Sequence, residues 1–195
     1  MLLMIDELMT LAKSQSRERR VEHGPVDLRI LADRVKQTFM GKASEKRLTF
    51  NVSVTEDFLQ MKGDQELMEQ MLENLVSNAI KYTPEGGHVE MAIRSTENDT
   101  IRITVSDSGI GIPGDDVPRL FAEFFRASNV KNVIGTGLGL AIVKEIVSRH
   151  GGQINVESKE GIGTTVTILF PAVPEESLQS SVPVGREVPS PGMIH

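Results

Sequence analysis

Two asparagines and a lysine share one face of a predicted helix between residues 65 and 82. Asn74 and Asn78 are one turn apart and Lys81 follows three residues later, so the three side chains project together. Asparagine is a mediocre helix former because its amide competes with the backbone. An amide oxygen suits Mg²⁺, which keeps most of its waters and binds substrate phosphates. The pattern indicates a site for a metal-bound phosphate, with a solvated polar face as the alternative.

A second group of candidate residues ends a predicted β-strand. In "IRITVSDSGIGIPG" the strand closes at Asp107, and Gly109 and Gly111 follow it. A carboxylate in this place can accept a hydrogen bond from an exocyclic amine, and the glycines let a flat ring approach the backbone. Ile110 and Ile112 can supply apolar walls. The stretch indicates a site for a heterocyclic amine, with an Asp-Ser-Gly turn that merely closes the strand as the alternative.

A third candidate is the glycine-rich turn "GTGLGLAIV", in which Gly135, Gly137 and Gly139 lead into a helix. Turns of this kind present backbone amides and a helix N-terminus to phosphate. The pattern is G-x-G-x-G and no predicted strand precedes it, so it does not fit the dinucleotide-binding fingerprint. The chain also lacks G-x-x-x-x-G-K-[ST], H-R-D and D-F-G, which excludes a P-loop and the common serine, threonine and tyrosine kinases.

Regular elements must bring these groups together, and the spacing of apolar residues predicts where the elements lie. Asp27 is a predicted helix N-cap, and Gly151 is a predicted C-cap. We expect His150, beside that C-cap, to be a cation that opposes the helix dipole. The predicted helices cover 28–45, 65–82, 116–125 and 139–150, and the predicted strands cover 47–54, 88–95, 100–107, 153–158 and 164–170.

These elements predict an α+β fold, a two-layer sandwich with helices on one face of a mixed five-stranded sheet. Residues 1–20 predict a preceding helix with a narrow apolar stripe. Prolines and serines accumulate from Pro171 onward, which predicts a disordered tail. The sequence therefore predicts a helix at 1–23, a domain at 24–171 and a tail at 172–195.

Composition narrows the possible functions of this 195-residue chain. Cysteine is absent, which excludes disulfides and thiolate metal sites. A net charge of −6, with one tyrosine and no tryptophan, argues against broad nucleic-acid binding. No apolar run approaches the ~18 residues of a membrane span, and acidic residues near the start argue against a signal peptide.

Taken together and in order, these stretches resemble the catalytic ATP-binding domain of bacterial sensor histidine kinases. These kinases share a superfamily, and the Bergerat-type ATP-binding fold, with gyrase, Hsp90 and MutL. The resemblance covers about 25–171 and rests on five sequence boxes at fitting spacing. The N box matches "ENLVSNAIKYTP" (73–84), the first glycine box "DSGIGIP" (107–113), the F box "LFAEFFR" (120–126), the second glycine box "GTGLGLAIVKEIVSRHGG" (135–152) and a third glycine box "GIGTT" (161–165).

The resemblance implies ATP and Mg²⁺ as ligands and gives each box a role. Asn74 and Asn78 would hold Mg²⁺, and Asp107 would bind the adenine amino group. Phe121 and Phe124 would anchor a mobile ATP lid, roughly residues 113–138. The other residues implied at the nucleotide are Lys81, Tyr82 and Arg126 toward the phosphates, Gly109, Gly111, Ile112 and Thr164 toward the adenine, and Gly135, Thr136, Gly137, Leu138, Gly139 and Leu140 at the far hinge of the lid. Those implied to be catalytic are Asn74, Lys81 and Arg126.

The implied reaction is transfer of the ATP γ-phosphoryl group to a histidine, which depends mostly on positioning and charge neutralisation. In the family that histidine lies on a helical hairpin before this domain, followed by an acidic residue and Thr-Pro. None of the four histidines here has this context, and the helix at 1–20 resembles only the second helix of the hairpin. We expect a cytoplasmic fragment that does not phosphorylate itself. Its parent would be cytoplasmic or anchored at the inner membrane, form a homodimer and serve a response regulator, and we expect no nucleic-acid partner.

Three other functions share parts of this pattern. ATP-driven clamps of the gyrase, Hsp90 and MutL branch carry a glutamate base where this chain has Asn74, and Glu73 is about 100° around the helix from it. Anti-sigma kinases share the fold and phosphorylate serine, but the "PVDL" linker and the preceding amphipathic helix favour a histidine kinase. Intact Asn, Asp and Gly positions argue against a pseudokinase that only binds nucleotide or a partner.

Overall fold

The computed structural model describes residues 24–55, 59–96, 100–130 and 135–171, so the predicted N-terminal helix and C-terminal tail lie outside the described residues. The helices are α1 (Leu28–Glu45), α2 (Gln65–Tyr82) and α3 (Gly139–Arg149). The strands are β1 (Gly24–Asp27), β2 (Thr49–Val54), β3 (Gln60–Gly63), β4 (His88–Thr96), β5 (Thr100–Asp107), β6 (Gln153–Lys159) and β7 (Gly163–Pro171). Two short 3₁₀ turns, Val117–Arg119 and Ser128–Val130, lie between β5 and α3.

Five strands form the main sheet in the order β2-β4-β5-β7-β6. β2 runs parallel to β4, and the other neighbouring strands are antiparallel, so the sheet is mixed. The three helices of the described residues pack on this sheet or on one another. The predicted α+β class with a mixed five-stranded sheet is therefore confirmed.

The core lies between the helices and one face of the sheet. Alternate residues of the central strands, such as Met91 on β4 and Ile103 on β5, are buried there. They meet the apolar stripe of α2, in which Met68, Met71 and Leu72 are fully buried. Burying an aliphatic side chain of this size contributes about 1.5–3 kcal/mol. This packing fixes the rotation of α2, and hence the direction in which its polar face points.

Each of the first two helices begins at an aspartate. The Asp27 carboxylate accepts hydrogen bonds from the amides of Arg29 and Ile30 at 2.9 and 3.1 Å, as its predicted capping role requires. Asp64 caps α2 in the same way by accepting from the Leu67 amide at 3.1 Å. Aspartate satisfies amides in the first turn that have no intrahelical acceptor, so both helix starts are fixed.

The structure adds a small sheet that the sequence pattern does not predict. β1 and β3 pair antiparallel, with Val26 opposite Met61. Each strand has four residues, and Pro25 interrupts the first, so neither shows enough alternation to be recognised. Both Val26 and Met61 are buried, and the pair extends the core at the start of α1.

The predicted helix at 116–125 is wrong, because only the 3₁₀ turn Val117–Arg119 forms there. The carboxylate of Asp116 does not cap a helix. It accepts hydrogen bonds from the amide and hydroxyl of Ser128 at 2.7 and 2.8 Å instead. This contact folds the segment into a loop.

Candidate functional site

A cavity of about 210 Å³ opens between α2, α3 and the end of the sheet at which β5 finishes and β7 begins. It collects most of the site residues named from the sequence. Those that line it are Asn74, Asn78, Lys81, Tyr82, Asp107, Gly111, Ile112, Arg126, Gly135, Thr136, Gly137, Gly139, Leu140 and Thr164. Four named residues, Gly109, Phe121, Phe124 and Leu138, do not line it.

The polar wall of the cavity is one face of α2. Asn74, Asn78 and Lys81 lie along it for two helical turns, as their spacing predicts. The opposite face of the helix is buried in the core, and this burial fixes the rotation of α2 about its axis. The three polar side chains can therefore point only into the cavity. The two amides and the ammonium group therefore face the same space.

The N-terminus of α3 lies across the cavity from this row. A Cβ atom added to Gly139 would lie 3.3 Å from Asn74 Oδ1, and one added to Gly135 would lie 2.7 Å from Lys81 Nζ. Among the described residues no side chain caps α3 at Leu138. Uncapped amides and the helix dipole favour a negative charge, so the space between α2 and α3 suits an anion.

Asp107 forms the other end of the cavity. Its carboxylate accepts a hydrogen bond from the Gly109 amide at 2.8 Å. Burial raises the pKa of Asp107 above its usual value, although amide hydrogen bonds from Gly109 and Thr164 and the nearby His88 lower it. A partly buried acceptor beside an apolar slot is well placed to receive a hydrogen bond from a ligand amine.

Glycine is required twice in the loop after Asp107. Gly111 has a φ of +63°, and a Cβ atom there would collide with the carbonyl oxygen of Lys159. A Cβ atom on Gly109 would lie 2.6 Å from the Asp107 Oδ1 atom and 2.7 Å from the Tyr82 carbonyl oxygen. Gly109 therefore supports Asp107 from behind, which explains why it is absent from the cavity wall.

Apolar side chains close the slot next to Asp107. Ile110 and Ile112 line it, as the sequence suggested. Further apolar wall residues that the sequence reasoning missed are Leu75, Ala79, Val105, Leu120, Phe125, Ala127, Val130 and Val166. The inward register of the two strands could have identified Val105 and Val166. The result is a flat apolar slot with one carboxylate at its edge.

The three phenylalanines of "LFAEFFR" have different environments. Phe125 lines the cavity, with the Arg119 guanidinium 4.5 Å from its ring centre. Phe121 lies against Lys144 of α3, whose Nζ is 5.4 Å from the ring centre. Phe124 is 55% exposed and has a φ of 59°. No regular periodicity governs this loop, so the sequence could not show which ring faces the cavity.

Arg126 lies on the cavity wall but bonds within its own loop. Its Nη2 atom donates to the Val130 carbonyl oxygen at 2.7 Å. The guanidinium thus fastens the turn Ser128–Val130 beside the cavity. Its predicted approach to phosphate stays a prediction.

Residues 63–174, more than half of the chain, match the family described as histidine kinase-, DNA gyrase B- and HSP90-like ATPases. The chain belongs to this family. Sensor histidine kinase WalK of Bacillus subtilis (strain 168) is 36% identical over 90% of this chain. The chain spans 29% of the length of WalK.

Solved structures, histidine kinases among them, share the fold of this chain. The mycobacterial sensor histidine kinase MprB is 32% identical with a TM-score of 0.68, covering 78% of this chain and 99% of that one. Full-length ShkA in complex with AMPPNP is 26% identical with a TM-score of 0.76, covering 87% and 35%. ThkA in complex with the response regulator TrrA is 27% identical with a TM-score of 0.70, covering 90% and 49%. The resemblance to the sensor histidine kinase catalytic domain is therefore confirmed.

Leu138 takes a different place in this ATPase domain from the one its glycine neighbours suggest. Its side chain is fully buried in the core, and its amide donates to the Thr136 hydroxyl at 3.3 Å. Leu140 lines the cavity, while Leu138 anchors the start of α3. A single turn of α3 thus serves both the site and the core.

Lys46 supports one wall of the cavity, and the sequence reasoning missed it. Its Nζ atom donates to the carbonyl oxygens of Ile80, Lys81 and Thr83 at 2.7, 3.1 and 2.6 Å. Carbonyl oxygens at the end of a helix have no amide donor within that helix. Lys46 therefore caps α2 from outside and holds the turn that carries Lys81 and Tyr82. Nothing in the sequence around a surface lysine predicts this contact.

His150 is buried, and its expected role as a charged dipole partner is wrong. Its Nε2 atom accepts a hydrogen bond from the Asp64 amide at 3.0 Å, while Nδ1 lies 2.8 Å from the Ile146 carbonyl oxygen. Nε2 therefore carries no proton, and the ring is neutral. The ring is only 8% exposed and lies edge-on to Phe170, so it links the end of α3 to the start of α2.

Proposed function

We propose that this domain binds Mg-ATP and presents the γ-phosphoryl group for transfer to a histidine of a longer sensor kinase. The supporting observation is a single cavity with two chemically different ends. Asp107 and an apolar slot lie at one end, and Asn74, Asn78 and Lys81 face the N-terminus of α3 at the other. The complex of ShkA with AMPPNP supports ATP as the ligand.

The base would occupy the slot beside Asp107. Its exocyclic amine would donate to the carboxylate oxygen that Gly109 leaves available. Ile110 and Ile112 would cover the ring faces, where burial of apolar surface contributes about 25 cal/mol per Å². The carboxylate would thereby select an amine donor, and the glycine loop would let the ring approach the backbone.

The residues at the phosphate end fit a magnesium ion. Among the described residues no three acidic, histidine or cysteine side chains come together, so an ion there would depend on neutral amide oxygens. Asn74 and Asn78 offer such oxygens, which are hard ligands of the kind that Mg²⁺ accepts alongside water and phosphate. When bound, the ion would neutralise phosphate charge during the transfer.

Phosphoryl transfer needs charge neutralisation and alignment from the protein. Lys81 would place its ammonium group against the phosphates, and its last-turn position is fixed by Lys46. The amides at the mouth of α3 would face the same oxygens. The Pγ–O bond to the β-phosphate would break as the histidine nitrogen bonds to phosphorus. Lys81 and these amides would stabilise the negative charge that develops on the phosphate oxygens during the transfer.

A hydrolytic clamp is the main competing function, and the position of Glu73 argues against it. Glu73 does not line the cavity. Burial and then the neighbouring Glu69 carboxylate raise the pKa of Glu73, while the Lys42 ammonium group of α1 lowers it. A base for water attack must lie within hydrogen-bond reach of the reacting water. The residue at the required helix position is Asn74, which is not a base.

The partners of the parent kinase belong to the same proposal. ThkA, similar in fold, is seen in complex with the response regulator TrrA, which supports a response regulator as the protein that receives the phosphoryl group. A homodimer and a cytoplasmic location remain proposals. Among the described residues every helix is too short or too polar to cross a bilayer.

The proposal is tested by titrating the chain with ATP in Mg²⁺ and again after chelation of the metal. We expect one ATP per chain and weaker binding without Mg²⁺. Asn78→Ala should lose most of the metal dependence, and Asn51→Ala on β2 serves as the control. An ATP affinity that changes neither on removal of Mg²⁺ nor in the Asn78→Ala variant would contradict the proposed magnesium site.

Incubation with γ-labelled ATP provides a second test. We expect no label on this chain, because none of its four histidines is followed by an acidic residue and Thr-Pro, and His150 is also buried. Acid-labile label on the chain would show that a histidine within it accepts the phosphoryl group and would overturn that part of the account.

A further inference from the structure

Three polar side chains stand in a row across adjacent strands at the base end of the cavity. Asp107 of β5 lies opposite Thr164 of β7, and Thr164 lies opposite Ser158 of β6. Asp107 and Thr164 line the nucleotide cavity, and Ser158 lies one strand behind them. Ser158 can therefore affect a ligand only through Thr164 or the neighbouring backbone.

The Ser158 hydroxyl has three neighbours within hydrogen-bond distance. The Ile112 amide donates to it at 2.9 Å. It donates to the Gly163 carbonyl oxygen at 3.0 Å. The third neighbour, the Thr164 hydroxyl, lies 2.9 Å away, and either oxygen could be the donor in that contact. A serine hydroxyl has one proton and two lone pairs. Three hydrogen bonds therefore use its whole capacity to donate and accept.

The chemistry of the other two partners decides the direction of the third bond. An amide N–H can only donate, so Ile112 takes one lone pair of Ser158. A carbonyl oxygen can only accept, so Gly163 takes the proton. One lone pair remains for Thr164, which must then donate. The Thr164 proton is thereby directed away from the cavity, and its lone pairs are left facing the ligand.

We infer that Ser158 is a positioning residue that makes Thr164 a hydrogen-bond acceptor and so disfavours bases with a carbonyl oxygen in place of the 6-amino group. This inference rests on the proposed function. Asp107 already offers an acceptor at the next position of the row. Two adjacent acceptors would favour an amine or a water that donates, and would repel a carbonyl oxygen.

The test compares ATP with inosine triphosphate, which carries a 6-carbonyl oxygen, in equilibrium titrations of the full chain. The wild type should bind ATP more tightly. Ser158→Ala frees the Thr164 proton to turn toward the ligand, so the ratio of the two dissociation constants should fall about three- to tenfold, as for one hydrogen bond. Ser158→Thr keeps the hydroxyl and should keep the ratio. Ser53→Ala, exposed on β2, is the matched control.

A purely structural role would weaken both nucleotides equally, and an unchanged ratio in Ser158→Ala would overturn the inference. Thr164→Val removes the hydroxyl itself and should lower the ratio, which keeps the test decisive if Ser158→Ala does not fold. Ser158→Ala should then have no further effect on the ratio in the Thr164→Val background, and additive effects would contradict the coupling. A wild-type chain that binds neither nucleotide would overturn the proposed function as well.

Discussion

The two halves of the cavity wall are built differently. One half, formed by α2 and the ends of β5 and β7, consists of regular elements whose opposite faces are buried in the core. The other half is the lid segment, residues 113–138, of which 113–130 and 135–138 are described. The described residues of the lid segment form two 3₁₀ turns and are held by individual contacts, such as the Asp116 carboxylate with Ser128.

This difference separates two tasks. The regular half fixes the direction of each polar side chain, because rotating α2 would expose its buried stripe. The lid segment adds apolar surface and closes the slot through Leu120, Phe125 and Val130. We expect changes in the regular half to alter which ligand binds, and changes in the lid segment to alter how strongly any nucleotide is held.

The largest expected effect comes from Asp107 in the regular half. Asp107→Asn should weaken ATP binding by about tenfold to a hundredfold, as for loss of a hydrogen bond to a charged acceptor. The fold should survive, because Asn can still accept from the Gly109 amide. Isothermal titration calorimetry measures the change, with the exposed variant Asp33→Asn as the control. Equal ATP affinities of the Asp107→Asn variant and the control would show that Asp107 does not bind the base.

The next effect is expected at Gly137, the predicted hinge of the lid segment. Gly137 has a φ of +80°, and a Cβ atom there would lie 2.7 Å from the Phe124 carbonyl carbon. Gly137→Ala should destabilise the domain by about 1–2 kcal/mol for the left-handed backbone alone and should weaken every nucleotide alike.

Gly114→Ala is the matched control for the hinge, because a Cβ atom there meets nothing within 4 Å. Thermal melting and ATP titration of both variants measure the difference. A Gly137→Ala domain as stable as the Gly114→Ala domain would show that the hinge geometry is not required.

A smaller effect is expected where the regular half is fastened to α1. Lys46→Met removes three hydrogen bonds to the end of α2. Loss of such bonds costs about 1–3 kcal/mol, and ATP affinity should fall several-fold because Lys81 loses its support. Lys62→Met, exposed on β3, is the control. Chemical denaturation of the two variants measures the difference. Equal unfolding midpoints would contradict this account.

The smallest effect is a pH dependence of stability. The folded state raises the pKa of Asp107 above its usual 3.8, so folding favours the protonated form. The contribution of this group is therefore most favourable below pH 3.8 and is lost as the pH rises through the folded pKa. Asp107→Asn should melt higher than the wild type at neutral pH, and the gap should close in acid. A gap that widened in acid would contradict the sign.

The same division of the site explains what the sequence could predict. The row Asn74, Asn78 and Lys81, and the strand end at Asp107, follow from helix and strand periodicity, and the structure places all four on one cavity. The five-stranded sheet follows from the same patterns. The irregular lid segment has no period, so the sequence could not show that Phe125 faces the cavity and Phe124 faces solvent.

Long-range contacts are the second limit on prediction. Lys46 caps a helix that ends 36 residues later in the chain, and no local sequence pattern predicts such a contact. The position of His150 at the end of a helix predicts a charged ring. Its ring accepts from the amide of Asp64, 86 residues away, and is therefore neutral. Hydrogen-bond partners brought together by the fold decide both cases.

The central claim is the orientation of the nucleotide in the cavity. A crystal structure of the chain with Mg²⁺ and AMPPNP tests it most directly. We predict the adenine amino group within hydrogen-bond distance of Asp107, and the phosphates between the N-terminus of α3 and the row Asn74, Asn78 and Lys81. A nucleotide bound in the opposite direction, or bound outside this cavity, would contradict the account.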